Sequence, residues 1–282
     1  MNFLIFTEAT SDLPKDYVDK RDVVLLNMPC YVNEESAPSD PKVLYDLMRS
    51  GVLPTTSLLS ADDLVKAFEP RLKEGEKILY IAFSSALSGT YDSGMKAKEI
   101  LDATYPNSLF VIDSKCASLG QGMIVDYALD LRDAGESVED VYEKLQKDLY
   151  QVCHYFTVDN LFHLYRGGRV SRTKAVLGTI LQLKPILHVD EQGRLIPISN
   201  ARGRKKAVKM LLDYMVEKCG DNAPKKVFIS HGDCEEDALF LAELIKEKYN
   251  KDIDLINYIG TVIGTHSGPN TLALFFMTPK LR

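Results

Sequence analysis

Lys77–Gly94, KILYIAFSSALSGTYDSG, is the stretch from which the chain is best read. Ile78 to Phe83 is an apolar run with no polar face, the pattern of a strand buried on both sides. It ends in Ser84-Ser85. Ser88, Gly89 and Thr90 then lead into a helical pattern that runs to Leu101. A buried strand, a tight Ser/Gly loop and a helix start together make an anion site, because loose backbone N–H groups and the positive end of the helix dipole point the same way. Hydroxyls add donors without adding charge. Ordinary N-capping by Ser88 or Thr90 accounts for this one loop equally well.

Working outward, the same rhythm repeats. Asn2–Thr7 reads as a buried strand followed by TEATSDLP, with Ser11 or Asp12 as N-cap and Pro14 near the first helical position. Val23–Met28 is a strand. Pro41 opens a helix that Gly51 closes, and Ser60-Ala-Asp-Asp63 opens another with a capping-box pattern. Between them, Pro54-Thr-Thr-Ser57 is unfit for a helix interior. Leu109–Ile112 is a strand with a polar loop after it, and helices follow at about Leu119–Asp133 and Val138–Leu149. This alternation predicts an α/β unit with an open, mostly parallel sheet flanked by helices, which binds ligands beyond the carboxyl ends of its strands. The hydroxyl-rich loops Thr7–Ser11, Ser84–Thr90 and Asp113–Ser118 all fall at that edge.

The second half reads as α+β with a mixed sheet. Val152–Val158 is a strand, Tyr165–Ser171 a polar loop and Ala175–Leu183 a short apolar helix. Leu187–Val189 and Leu195–Ile198 form a hairpin. A helix from about Lys205 to Cys219, a strand at Lys226–Ser230, a helix at Glu235–Tyr249 and a strand at Asp254–Tyr258 follow. Gly264–Pro269 is read as a loop feeding the strand Thr271–Met277. The expected division is residues 1–152 and 153–282.

Composition narrows the function classes. At 282 residues, 45% hydrophobic and 26% charged, the chain is an ordinary globular protein long enough for two domains. A net charge of −6 gives no reason to expect nucleic acid as a partner. No apolar run approaches a membrane span, and MNFLIFTEATSD lacks the basic start of a signal peptide, so a cytoplasmic location is expected. Five widely spaced cysteines and five scattered histidines fit reduced thiols and predict neither a disulfide framework nor a metal site. There is no phosphate-binding G-x-x-x-x-G-K-[ST] and no G-x-G-x-x-G fingerprint, and no cofactor is implied. Ser88 and the distant His266 supply the types needed for a nucleophile and base. A serine-dependent esterase or thioesterase acting on acyl substrates therefore stands as the alternative, although the G-x-S-x-G elbow is missing. Arg202-Gly-Arg-Lys-Lys206 puts cations at a helix start, the unfavourable end, without visible compensation. Arg166-Gly-Gly-Arg169 is a basic turn, either an anion site or a surface loop.

Taken together, TEATSDLP (Thr7–Pro14), PTTS (Pro54–Ser57), SSALSGTY (Ser84–Tyr91), VIDSKCASLGQG (Val111–Gly122), RGGRVS (Arg166–Ser171) and GTHSGPNT (Gly264–Thr271) resemble, in order, the motifs of the bacterial DegV family. The resemblance implies a non-catalytic, fatty-acid-binding subunit with one long-chain fatty acid held between its two domains. Such a subunit presents the acyl carboxylate to a separate fatty acid kinase, which makes an acyl phosphate for phospholipid synthesis. By the same resemblance the carboxylate lies on Thr56 or Ser57, on Ser88 with the Gly89 backbone, and on His266. Arg169 supports that network and Arg202 lies on the kinase-docking face. The chain departs from the family pattern at Glu8-Ala9, at Leu58-Leu59 after PTTS and at Asn270 in the late G-P-G. Tail-lining candidates are Ile259–Ile263 and Leu177–Leu183. An ionised carboxylate leaving water needs several hydrogen bonds, and neutral hydroxyls, a helix start and a histidine provide them without a salt bridge.

Overall fold

The structure is a computed structural model that describes residues 3–171 and 183–282. The chain opens with β1 (Leu4–Glu8), the short α1 (Lys15–Lys20) and β2 (Val23–Leu26). β3 (Cys30–Val32), β4 (Glu35–Ser36) and β5 (Thr55–Thr56) form a small antiparallel sheet around α2 (Pro41–Arg49). Then come α3 (Ala61–Lys73), β6 (Ile78–Ala82), α4 (Thr90–Asp102), β7 (Leu109–Asp113), α5 (Leu119–Asp133) and α6 (Val138–Asp148). The first large sheet has the order β2-β1-β6-β7, and its strands are all parallel. The sequence of β6 explains itself in this setting. Ile78, Tyr80 and Ala82 pack with α3 and α4, while Leu79 and Ile81 pack with α5 and α6 on the other face. A strand covered on both faces has no use for a polar alternation.

The second sheet contains β8 (Val152–Thr157), β9 (Leu183–Val189), β10 (Leu195–Arg202), β11 (Val227–His231), β12 (Leu255–Tyr258) and β13 (Leu272–Met277), in the order β10-β9-β8-β13-β11-β12. It is mixed: β11 and β12 are parallel and the other pairs antiparallel. One face carries α8 (Arg204–Cys219) and α9 (Glu235–Tyr249) over Tyr155, Ile229 and Leu274. The other face places Phe156, Phe228 and Phe275 against α5. Thus α5 lies between the two sheets. It is buried nearly all round from Leu119 to Leu129, which matches its lack of a polar stripe.

Helix ends follow local chemistry. Asp40 caps α2 ahead of Pro41, and Ser60 with Asp63 completes the capping box of α3. At α1, by contrast, Pro14 itself is the N-cap, and neither Ser11 nor Asp12 caps the helix. Those residues belong to a tight buried turn instead: Ser11 is enclosed, and the Asp12 side chain accepts from Ser118 Oγ (2.5 Å) and from the Gly260 N–H (2.9 Å). Long-range partners outcompete local capping here.

Further expectations change in the second half. Part of the polar loop around Tyr165 is α7 (Phe162–Arg166), and the expected loop at Gly264 is the end of a helix, α10 (Thr261–Ser267). Its Thr, Val and Ile residues and its glycine read as loop or strand by propensity. Packing overrides propensity: Gly264 lets the helix lie directly on the buried Tyr45 of α2, whose hydroxyl donates to the Ile259 carbonyl (2.9 Å). Gly268, at φ 85°, then turns the chain into β13. The expected helix at Ala175–Leu183 falls outside the described residues except for Leu183, which lies in β9. The cations at Arg202–Lys206 are partly compensated, because Arg204 Nε donates to Asp237 (2.8 Å) at the acidic start of α9.

The close seat of α10 gives a test of how the fold positions its side chains. A Cβ on Gly264 would stand 2.5 Å from Tyr45 Oη. Gly264→Val is expected to cost about 1–3 kcal/mol by overpacking and to lower the melting temperature by a few degrees. Thermal unfolding followed by circular dichroism checks this; an unchanged midpoint would contradict the packing described.

Candidate functional site

The SSALSGT loop is fixed first. The Ser84 N–H donates to the Cys116 carbonyl (3.1 Å) and Ser84 Oγ to the Gly193 carbonyl (2.9 Å), which ties the end of β6 to the loop after β7 and to the β9–β10 hairpin. The Leu87 and Ser88 N–H groups turn back to the Ser84 carbonyl. Ser88 Oγ then reaches Thr90 Oγ1 (2.8 Å) and accepts from the Thr90 N–H (3.3 Å), with Gly89 as the N-cap of α4. A Cβ on Gly89 would press on Leu58 at 3.2 Å, so the backbone is bare where the PTTS loop and its following leucine approach. Ser88 and Gly89 therefore stand at the positive end of a 13-residue helix.

The second lip is β5. Its pairing with β3 and the Ser57 N–H to Pro29 carbonyl bond (3.0 Å) hold Thr56 and Ser57 in extended backbone. Thr56 Oγ1 meets His266 Nε2 at 2.7 Å. His266 Nδ1 is buried without a partner, and Gly167 leaves the space in which that edge of the ring sits. Burial, reinforced by the nearby Arg169 and Arg166 charges, pushes the His266 pKa down to about 4. The ring is therefore neutral at physiological pH and carries one N–H donor.

Of the two arginines of the RGGR turn, Arg169 lines the site, and both bond backbone carbonyls. Arg169 Nε donates to the Leu87 carbonyl (3.0 Å) and its Nη1 to the Gly167 carbonyl. Arg166 Nη2 donates to the Pro54 carbonyl (2.7 Å) and to the Thr265 carbonyl (3.4 Å). They strap the PTTS loop, the SSALSGT loop and α10 together. The sequence reading singled out Arg166-Gly-Gly-Arg169 as an anion site or a surface loop; Arg166 instead straps backbone, a role its residue type did not reveal.

Thr56, Ser57, Ser88, Gly89, Arg169 and His266 all line one cavity of about 230 Å³. The rest of its wall is mainly apolar. Ile259, Val262 and Ile263 come from the predicted stretch, whereas Leu87, Phe156, Leu164, Leu195 and Phe275 were not anticipated. Their sequence patterns do not differ from those of core residues. Leu58 lines the cavity while 47% exposed, so it stands at the opening. Arg202 is outside this group, exposed at the end of β10. Ser88 and His266 share the cavity without a hydrogen bond between them: His266 Nε2 is on Thr56 and Ser88 Oγ on Thr90. Beneath the lips, burial raises the Glu8 and Asp12 carboxyls to about 7 each. Tyr80 Oη and the Phe83 N–H donate to Glu8. Among the described residues, no cluster of three or more His, Cys, Asp or Glu side chains is arranged to hold a metal, and no helix is long and apolar enough to cross a membrane.

A family model described as "Uncharacterised protein, DegV family" matches residues 2–279. The chain belongs to the DegV family. A DegV domain-containing protein of Clostridium perfringens is 44% identical over 98% of this chain and 97% of its own. Among solved structures, DegV of Bacillus subtilis, described as a fatty acid binding protein, is 30% identical with a TM-score of 0.84, covering 98% of this chain and 99% of its own. A DegV family protein of Thermus thermophilus, described by its fatty acid binding, is 29% identical with a TM-score of 0.86, covering 99% and 100%. The α/β-plus-mixed-sheet architecture is therefore that of the DegV structures.

The depressed basicity of His266 has a direct readout. In the ligand-free protein its imidazole is expected to stay neutral from pH 5 to pH 8 and to protonate only near pH 4. Nitrogen-detected NMR of the histidine ring checks this; a midpoint near 6.5 would mean that the ring is solvated rather than enclosed.

Proposed function

We propose that this chain binds one long-chain fatty acid and presents its carboxylate to a separate fatty acid kinase, without catalysing a reaction itself. The observation that carries this reading is the cavity's lining: hydroxyl, backbone and imidazole groups, with Arg169 beside them, share a mainly apolar chamber. A carboxylate there accepts from Thr56 or Ser57, from Ser88 with the Gly89 backbone at the start of α4, and from His266. Arg169 supports the network through its strap to Leu87. An acyl tail in the remaining volume contributes roughly 0.8 kcal/mol per buried CH₂. The fatty-acid binding described for the Bacillus and Thermus relatives supports the same assignment.

Neutral donors suit a carboxylate that must later attack a phosphoryl group. A salt bridge would hold its charge more tightly and blunt it as a nucleophile, whereas hydroxyl and imidazole partners leave it reactive. In this reading the ligand lies between an N-terminal unit of residues 1–152 and a C-terminal unit of residues 153–282. The chain acts in the cytoplasm, and the acyl phosphate feeds phospholipid synthesis. Arg202 belongs to the docking face, together with the exposed Lys205 and Lys206. Arg204 is held back by Asp237.

Two sets of substitutions test the two halves of the proposal. Ser88→Ala and His266→Ala each remove a partner of a buried carboxylate, a loss of about 1–3 kcal/mol, so fatty-acid affinity falls roughly tenfold or more by calorimetry. Unchanged affinity in both variants would exclude this carboxylate site. Reversing the charge of Arg202, Lys205 and Lys206 leaves fatty-acid affinity intact but reduces phosphorylation of the bound acyl chain, and wild-type docking weakens as salt rises. Full turnover by the reversed variant would make the patch an ordinary solvated surface.

A further inference from the structure

Glu8 ends β1 and is fully buried. It lies behind Thr10 and Phe83, which both line the cavity. Its Oε1 accepts from the Tyr80 hydroxyl and from the Phe83 N–H (3.2 Å). Its Oε2 stands 3.2 Å from Thr10 Oγ1, which in turn is 2.9 Å from Gln121 Oε1. The orientation of the Gln121 amide is fixed, because Nε2 donates to Thr7 Oγ1 (3.0 Å) and to the Ile81 carbonyl (3.1 Å), and a carbonyl only accepts. Thr10 therefore faces two acceptor oxygens with a single hydroxyl proton. With Glu8 ionised, one of those buried oxygens is left without a donor. One more proton completes the chain, and of the three side chains only Glu8 can carry it. Glu8 then donates to Thr10, and Thr10 to Gln121. The same count comes out differently at Asp12. The Gly260 N–H and the Ser118 hydroxyl donate to it and the Ser230 hydroxyl is free to donate to Ser118, so the ionised form is satisfied as it stands.

A neutral acid in this place bears on an anionic ligand. Phe83, whose N–H meets Glu8, directly precedes Ser84, the root of the loop that carries Ser88. Two ionised carboxylates in one low-dielectric wall repel each other, and the resident one relieves this by taking up a proton. We propose that Glu8 is the proton site of this cavity: it is protonated while a fatty-acid carboxylate is bound, so binding takes up a proton from solution and weakens as pH rises above neutrality. Burial, which raises the Glu8 carboxyl to about 7, brings this exchange into the physiological range. The surrounding groups leave Glu8 as the one that responds. On β6, Tyr80 is pushed far up by burial and by Glu8 and stays neutral. On β2, Leu26 stands opposite Glu8 in the register, and on α5 the contact is the uncharged Gln121. Asp12, on the same loop, is turned to Ser118 and Gly260. In the cavity wall, Arg169 is bonded to the Leu87 carbonyl and the His266 ring is neutral. The inference rests on the fatty-acid reading of the cavity and adds the proton that accompanies the ligand.

The experiment is calorimetric titration of the full chain with stearic acid, in buffers of different ionisation enthalpy, which counts the protons exchanged on binding. The wild type is expected to take up roughly half a proton per ligand at pH 7 and to lose about tenfold in affinity between pH 7 and pH 8.5. Glu8→Gln reproduces the hydrogen bonds of the protonated acid, with its amide donating to Thr10, and is expected to bind with no proton uptake and a flat pH profile. Binding by the wild type without proton uptake overturns the inference and leaves the fatty-acid reading standing. So does an uptake that survives in Glu8→Gln, which would belong to another group such as Asp12, and so does a folded Glu8→Gln that no longer binds. Failure of the wild type to bind stearic acid removes the fatty-acid reading and the inference with it. Should Glu8→Gln not fold, difference infrared spectroscopy of the wild type at pH 8 decides. Stearic acid then brings up a protonated-carboxyl band that moves when the glutamates are labelled with carbon-13, and the absence of such a glutamate band overturns the proposal.

Discussion

The structure depends on the double-sided burial of α5. One face of the helix supports Leu79 and Ile81 of the parallel sheet, and the other supports Phe156 and Phe275 of the mixed sheet. Its glycines set how closely the layers approach. Gly120 admits the ring of His154, and a Cβ on Gly122 would press on the Ser11 carbonyl at 2.8 Å. Because both sheets rest on one helix, the loops above them are held in fixed relation. Thr56 and His266, 210 residues apart in sequence, meet at 2.7 Å where β5 and α10 are strapped by Arg166.

The electrostatic character of the site follows from how its charges are spent. Arg169 and His266 line the cavity and Arg166 belongs to the same turn as Arg169; both guanidinium groups bond backbone carbonyls and the imidazole is neutral. The lips are thereby held by strong, charge-assisted bonds, and hydroxyl and imidazole groups line the cavity alongside Arg169. The arginine charges and the helix start of α4 still bias the local field towards an anion. The buried carboxyls of Glu8 and Asp12 fit the same arrangement. With their pKa values near 7, each is about half protonated at neutrality, which reduces the negative charge they place in the protein.

Much of this was legible in the sequence because local chemistry and tertiary context agreed. The run Ile78–Ala82, the capping box at Ser60 and the span Leu119–Asp133 stand where periodicity and capping put them. Disagreement came where long-range contacts dominate. Ser11 and Asp12 look like caps but serve a buried turn that reaches Ser118 and Gly260. Thr261–Ser267 has poor helix propensity and is helical because Tyr45 and Gly264 fit together. At the site, the repeated hydroxyl loops at one sheet edge were visible in the sequence, whereas Ser88 and His266 gained their roles only from the resemblance to the family motifs. The apolar wall was not visible, since Leu87, Leu164 and Phe275 carry the same pattern whether they face a cavity or a packed neighbour.

The position of α5 between the sheets also governs the order in which the protein is made. A ribosome releases β1 to α6 well before β11 and β13 exist. During that interval the face of α5 destined for the mixed sheet has nothing to cover it, and Met123, Ile124 and Leu129 lie in this helix. The parallel sheet can form early, but the nascent chain carries an apolar surface until β13 arrives, a state prone to premature association. His266 comes just before that strand, so the binding cavity and the shielding of α5 are completed together.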